Sequence, residues 1–168
     1  MERKLPSADE SVRAIVDELK RRGLTLGCAE SLTGGALTAT FVAVPGVSEI
    51  LRGGVVSYAT DVKASLLGVS RDQLLLTGPV DGEVALQMAR GACSVLGANI
   101  GLSTTGVAGP GPADGHEAGT VWIGLAGVLG EANRLLRLSG TRSQIRSGTI
   151  DAVIELLRES LWGVLPHQ

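Results

Sequence analysis

Apolar positions first repeat with a helical period over residues 8–22, where Val12, Ile15, Val16 and Leu19 fall on one face. Gly23 follows, a residue suited to the left-handed turn that stops a helix. Residues 24–29 (Leu-Thr-Leu-Gly-Cys-Ala) read as a short buried strand. Residues 30–35 turn the chain into a second helix, which runs to about Val44 and is closed by Pro45-Gly46. A second strand is expected over 52–59, carrying Val55, Val56 and Tyr58, and a short helix over 61–67. After Gly78-Pro79, Asp81 can cap a helix whose face carries Val84, Met88, Ala92 and Val95. Residues 99–105 read as a strand and 106–119 as a loop rich in Gly and Pro. Residues 120–127 and 132–138 form a hairpin pattern turning at Gly130, and 141–162 a helix with Ile145, Thr149, Ala152, Val153, Leu156 and Leu157 inward.

The resulting order is α-β-α-β-α-α-β-β-β-α. Helices alternate with the early strands, and a hairpin comes late. That order predicts an α/β fold, a three-layer α/β/α sandwich with a mixed sheet. The 168 residues suffice for one domain spanning 1–168, with no internal repeat or linker.

Composition narrows the function. With 44% hydrophobic and 19% charged residues the chain is neither disordered nor membrane-spanning in pattern. Its apolar runs stop short of the roughly 18 residues a spanning helix needs. The first residues lack an apolar signal core, so a cytoplasmic location is expected. The net charge is −2, and the adjacent cations Lys20, Arg21 and Arg22 end a helix, where they suit its dipole. With no broad basic face and few aromatics, neither nucleic acid nor membrane is an expected partner. A homo-oligomer is compatible with so small an apolar domain.

The residue types also limit the chemistry. Cys28 and Cys93 sit in apolar segments and read as core residues. Of the two histidines, His167 is next to last and His116 lies in a polar loop, which leaves a Ser-His-Asp triad without a candidate base. No metal site or cofactor is implied by so sparse a set of ligands. Ser31 stands between a strand and a Gly-rich helix start, either as a nucleophile at a strand's carboxyl end or as an N-cap. Gly34 and Gly35 would let a ligand approach the backbone, and amides of residues 31–35 or of the Thr105-Gly106 loop could hold an oxyanion.

Lys63 is one of three lysines, beside Lys4 and Lys20, and the rest of the body uses Arg for positive charge. Either it is a surface lysine, or it does what Arg cannot and gives up a proton. As a base near neutrality its pKa must fall by about three units, a cost of about 4 kcal/mol that desolvation can supply. Tyr58, the single tyrosine, could bond this pair or stack on a flat ring, or be a half-buried strand aromatic. Arg142 and Arg146 share a face at the start of the last helix, where cations oppose the dipole; they suit an anionic partner or a solvated face.

Taken in order, several blocks resemble one family, the C-terminal domain of the competence/damage-inducible protein CinA. The blocks are Ala29-Glu30-Ser31-Leu32-Thr33-Gly34-Gly35, Gly53-Gly54-Val55-Val56-Ser57-Tyr58, Lys63 with Leu66-Leu67-Gly68-Val69, Thr105-Gly106-Val107-Ala108-Gly109-Pro110, Gly119-Thr120-Val121-Trp122-Ile123-Gly124-Leu125-Ala126, and Arg142 with Ile145-Arg146. Stand-alone members are nicotinamide-nucleotide amidohydrolases (NMN deamidases) of pyridine nucleotide recycling. The resemblance implies hydrolysis of the nicotinamide mononucleotide carboxamide to nicotinic acid mononucleotide and ammonia, without a cofactor. It makes Ser31, Lys63 and Tyr58 the expected catalytic residues and Thr33, Gly34, Gly35, Thr105, Gly106, Arg142 and Arg146 the expected substrate-binding ones. Larger members carry an N-terminal molybdopterin-binding-like domain with pyrophosphatase activity; for this chain only the amidase is expected. Two positions depart from the family pattern: Asp81 stands where Ser is usual, and Thr141 where Asp is usual. The alternative expectations are non-catalytic binding of a phosphoribosyl ligand and a competence- or damage-linked interaction module.

Overall fold

The structure, a computed structural model, describes residues 9–163. Lys4 and His167 lie outside the described residues. Helix α1 (Glu10–Arg22) starts at Asp9, whose side chain accepts from the Ser11 amide at 3.1 Å, and ends at Gly23 with φ of 65°. Strand β1 (Leu26–Glu30) leads through a turn into α2 (Ala36–Val42), and a 3₁₀ turn (Val47–Glu49) precedes β2 (Leu51–Val56). Then come α3 (Thr60–Leu67), α4 (Arg71–Thr77), α5 (Gly82–Leu96) and β3 (Ile100–Gly106). The antiparallel pair β4 (Thr120–Gly127) and β5 (Ala132–Arg137) precedes α6 (Arg142–Trp162).

The strands form one sheet in the order β2-β1-β3-β4-β5, parallel across the first three and antiparallel across the last three. Helices α1, α2 and α6 cover one face, and α3 and α5 the other, with α4 packed on them. This is the expected three-layer α/β/α arrangement with a mixed sheet. β1 and most of β3 are buried on both faces, whereas the edge strands β2 and β5 alternate. Strand parity decides what each side chain meets. Leu26, Cys28, Ile100 and Leu102 enter the core under α1, α2 and α6. Their odd-numbered neighbours turn to α5, as Ser103 does by donating to the Ala85 carbonyl at 2.6 Å.

Three expectations change. Helix α4 was absent from the predicted order, because its three leucines are consecutive and give no helical period. Leu75 and Leu76 are 86% and 81% exposed; what forms the helix is Ser70, whose Oγ accepts from the Gln73 amide, followed by good helix formers. Val95 is exposed rather than inward, since it lies past the sheet-facing side of α5. Strand β2 ends at Val56, where its pairing with Glu30 of β1 ends, so Tyr58 stands beyond the strand and is 63% exposed. Asp81 caps α5 by accepting from the amides of Glu83 and Val84.

Helix α5 lies unusually close to the sheet, and two glycines make that possible. A Cβ on Gly101 would run into the Ala89 carbonyl, and one on Gly124 would meet the Ala85 carbonyl at 2.7 Å. At Gly101 the two nearest atoms are both helix backbone, which cannot yield as a side chain would. Gly101→Ala is therefore expected to cost about 2 kcal/mol, read as a lower urea midpoint at unchanged slope.

Candidate active site

The three parallel strands end side by side, and the crevice there is a topological switch point. From β1 the chain crosses by α2 to β2 on one side, while β3, on the other side, is reached through α5 in the opposite layer. Past β1 stands Ser31, past β2 stand Ser57 and Tyr58, and β3 ends in Thr104, Thr105 and Gly106. At these strand ends lies a pocket of about 240 Å³ whose lining includes Ser31, Leu32, Tyr58, Lys63, Thr105, Gly106, Asp114 and Arg142.

Helix α3 brings Lys63 into this crevice. Its side chain is 1% exposed, and its Nζ lies 3.0 Å from Ser31 Oγ and 2.8 Å from the Ser57 carbonyl oxygen. Burial lowers the lysine pKa from 10.5 to about 8, with the Asp114 carboxylate pulling weakly the other way. The lysine can therefore lose its proton near neutrality while touching the one hydroxyl in its reach. Cys28 offers no rival nucleophile, because burial first and the Glu30 charge second push its thiol up to about 12.

Ser31 is 7% exposed and is not an N-cap: α2 begins after Gly35 and has no side-chain cap of its own. That service comes from Glu30, the fully buried last residue of β1. Glu30 Oε1 accepts from Thr33 Oγ1 (2.6 Å), Gly35 N (3.2 Å) and Leu37 N (2.9 Å), and Oε2 from Thr38 N (3.0 Å) and Thr38 Oγ1 (2.6 Å). A carboxylate thus occupies the positive end of α2. Thr33 Oγ1 also lies 2.9 Å from Thr104 Oγ1, and the Ser31 amide donates to Thr104 O and Oγ1. The backbone of Ser31 is fixed through this chain of bonds.

The expected site residues divide accordingly. Ser31, Lys63, Tyr58, Thr105, Gly106 and Arg142 come together around the pocket. Thr33, Gly34, Gly35 and Arg146 do not line it. The Gly35 amide is taken by Glu30, and the Gly34 amide by the Ser31 carbonyl. Arg146 donates to the carbonyls of Leu32 (2.9 Å) and Thr33 (3.0 Å), so it clamps the turn from behind. Thr105 faces the pocket with its hydroxyl already donated to the Pro79 carbonyl at 2.7 Å. Arg142 donates to the Gly109 carbonyl and to Tyr58 Oη (3.2 Å), which ties α6, the glycine loop and the phenol together at the mouth. Thr141 caps α6 in a capping box with Gln144, so the carboxylate missing there is replaced as a cap. His116 pairs by its backbone with Ala113 and does not line the pocket. The sequence assigns no role to Glu30, Ser57 or Asp114. The legible signal was a carboxylate ending an apolar strand just before a helix start that lacks a cap.

A family model described as the CinA C-terminal domain matches residues 8–161. A CinA-like protein from Frankia casuarinae is 47% identical over 158 residues, 94% of this chain and 36% of that protein. A putative competence-damage inducible protein from Desulforamulus reducens is 42% identical over 92% of this chain and 38% of its own length. The chain thus spans well under half the length of these curated relatives. Among solved structures, a CinA superfamily protein from Klebsiella pneumoniae superposes with a TM-score of 0.87 at 28% identity, covering 92% of this chain and 97% of that one. A competence/damage inducible protein from Agrobacterium tumefaciens gives 0.85 at 28% identity, covering 93% and 99%. Among the described residues, no group of three or more His, Cys, Asp or Glu could hold a metal ion, and no helix is long and apolar enough to cross a membrane.

The Lys63 shift has a measurable sign. Between about pH 8 and 10.5 the unfolded chain binds the lysine proton and the folded chain does not, so this residue destabilises the fold as pH falls through that window. Below it both states are protonated and the difference is constant. Lys63→Met is expected to gain about 3 kcal/mol relative to wild type between pH 10.5 and pH 7.5, measured by urea unfolding at each pH.

Proposed function

The chain belongs to the CinA C-terminal domain family, and from that premise we propose that it is an amidohydrolase converting nicotinamide mononucleotide to nicotinic acid mononucleotide and ammonia, a step in pyridine nucleotide recycling. The observation that carries this reading is the 3.0 Å contact between Ser31 Oγ and a buried lysine whose proton is held weakly.

Neutral Lys63 takes the Ser31 hydroxyl proton as Oγ bonds to the carboxamide carbon. The Leu32 amide, next to the nucleophile in a pocket-lining residue, donates to no protein acceptor among the described residues and is the donor we assign to the developing oxyanion. When the tetrahedral intermediate collapses, the C–N bond breaks and the Lys63 ammonium gives its proton to the departing nitrogen, which leaves as ammonia. Water then attacks the nicotinoyl ester of Ser31, passing a proton to Lys63. The ester C–O bond breaks, and Oγ recovers the proton. Arg142 at the mouth meets the phosphate, and Tyr58 lies beside it.

Ammonia release from the mononucleotide is the direct test. Ser31→Ala and Lys63→Arg are expected to fall at least about 10³-fold in kcat while keeping the circular dichroism of the parent, because Arg cannot give up a proton in that site. Retained turnover in Lys63→Arg removes the lysine from its role. Ligand binding by the wild type without ammonia release supports the non-catalytic reading instead. The wild-type rate is expected to rise with pH to a plateau above about 8, following the neutral lysine. Arg142→Ala is expected to raise KM about tenfold with a smaller change in kcat, as loss of a charge-assisted phosphate contact requires.

A further inference from the structure

Three charged side chains line the pocket: Lys63 at its floor, and Arg142 and Asp114 from the loop side. Asp114 is the single acidic residue among them. It sits in a two-residue turn closed by reciprocal backbone bonds, from Ala113 N to His116 O (3.0 Å) and from His116 N to Ala113 O (2.9 Å). Asp114 and Gly115 both take positive φ, 52° and 79°. Asp114 is the one non-glycine residue with positive φ among the described residues. Aspartate and asparagine are the side chains that tolerate this conformation best. The loop that carries it is anchored at Gly109 by Arg142. The backbone that carries the carboxylate is therefore fixed at the pocket wall, and the field of the charge reaches Lys63 inside.

A carboxylate is poorly placed for the catalytic step, because it holds the proton on the lysine that must lose it. Nor does it suit an anionic ligand group, which Arg142 serves from the same pocket. We propose that Asp114 determines specificity by selecting substrates whose amide is carried on a positively charged ring, with the negative group of the same molecule at Arg142. The inference rests on the amidohydrolase reading above. Nicotinamide mononucleotide is such a substrate, with a cationic pyridinium and an anionic phosphate. Its dihydropyridine form has the same ribose, phosphate and carboxamide and a neutral ring.

The test compares kcat/KM for the oxidised and the reduced mononucleotide in wild type and Asp114→Asn, which keeps the turn and removes the charge. The reduced amide has a different intrinsic reactivity, but this cancels in the ratio of ratios. The preference for the cationic substrate is expected to fall about fivefold in Asp114→Asn, and the fall to shrink at 0.5 M salt, as for a solvent-facing charge contact. An unchanged ratio overturns the inference. So does an equal loss on both substrates, which would place the carboxylate on the shared ribose. If the wild type releases ammonia from neither substrate, the reaction itself is wrong and the selectivity falls with it; wild-type turnover with an unaltered ratio sinks the selectivity alone.

Discussion

A fully buried carboxylate with no cationic partner among the described residues holds this site together. Moving such a group out of water costs several kcal/mol, and it persists only where donors replace the lost solvent. Glu30 receives five hydrogen bonds, two from threonine hydroxyls and three from amides in and before the first turn of α2. Those amides are the donors that a helix start leaves open, so one residue meets two needs at once. Strand parity leads to this outcome. The even positions of β1 face the α2 layer, and the last of them, position 30, meets the helix start.

Ser31 inherits its position from that arrangement. With the carboxylate fixed, Thr33 is fixed, Thr104 is held beside it, and the Ser31 amide is bound to Thr104. Arg146 adds a brace from α6 by holding the next two carbonyls. The Ser31 backbone is thus set by three elements, β1, β3 and α6, and none of the bonds uses its hydroxyl. That hydroxyl is left for Lys63 alone. Preorganisation of this kind holds a side chain in one geometry without a further partner on the residue itself.

Much of this was legible from the chain. The 3.6 period of α1, the unbroken apolar runs of β1 and β3 and the late hairpin sufficed for the layers, because burial dictates those patterns. The scarcity of lysine singled out Lys63, and the absence of a usable histidine excluded the commoner base. Position alone left Ser31 reading as a helix cap, since a Ser before Gly-Gly fits both roles. Local pattern failed where a partner distant in sequence decides the matter. Arg146 looked like an anion ligand because its neighbours along the chain say nothing of the Leu32 and Thr33 carbonyls it binds 114 and 113 residues away. Gly34 and Gly35 looked open to a ligand for the same reason. Helix α4 was hidden because its leucines serve no core.

The two buried ionisable groups of the site are treated in opposite ways, and the contrast explains the chemistry. Glu30 has a donor for every direction in which its oxygens can accept, so water has been replaced in full. Lys63 has three donors and, among the described residues, only two protein acceptors, a hydroxyl and a neutral carbonyl. Neither acceptor carries charge, and the one carboxylate acting on the lysine sits on the exposed loop wall. A well-paired buried carboxylate stabilises a scaffold, whereas an underpaired buried ammonium is driven to give its proton away. Had a carboxylate stood where the Ser57 carbonyl stands, its charge would hold the proton on the lysine. The lowered pKa of Lys63 therefore depends on what the lysine lacks as much as on what it touches.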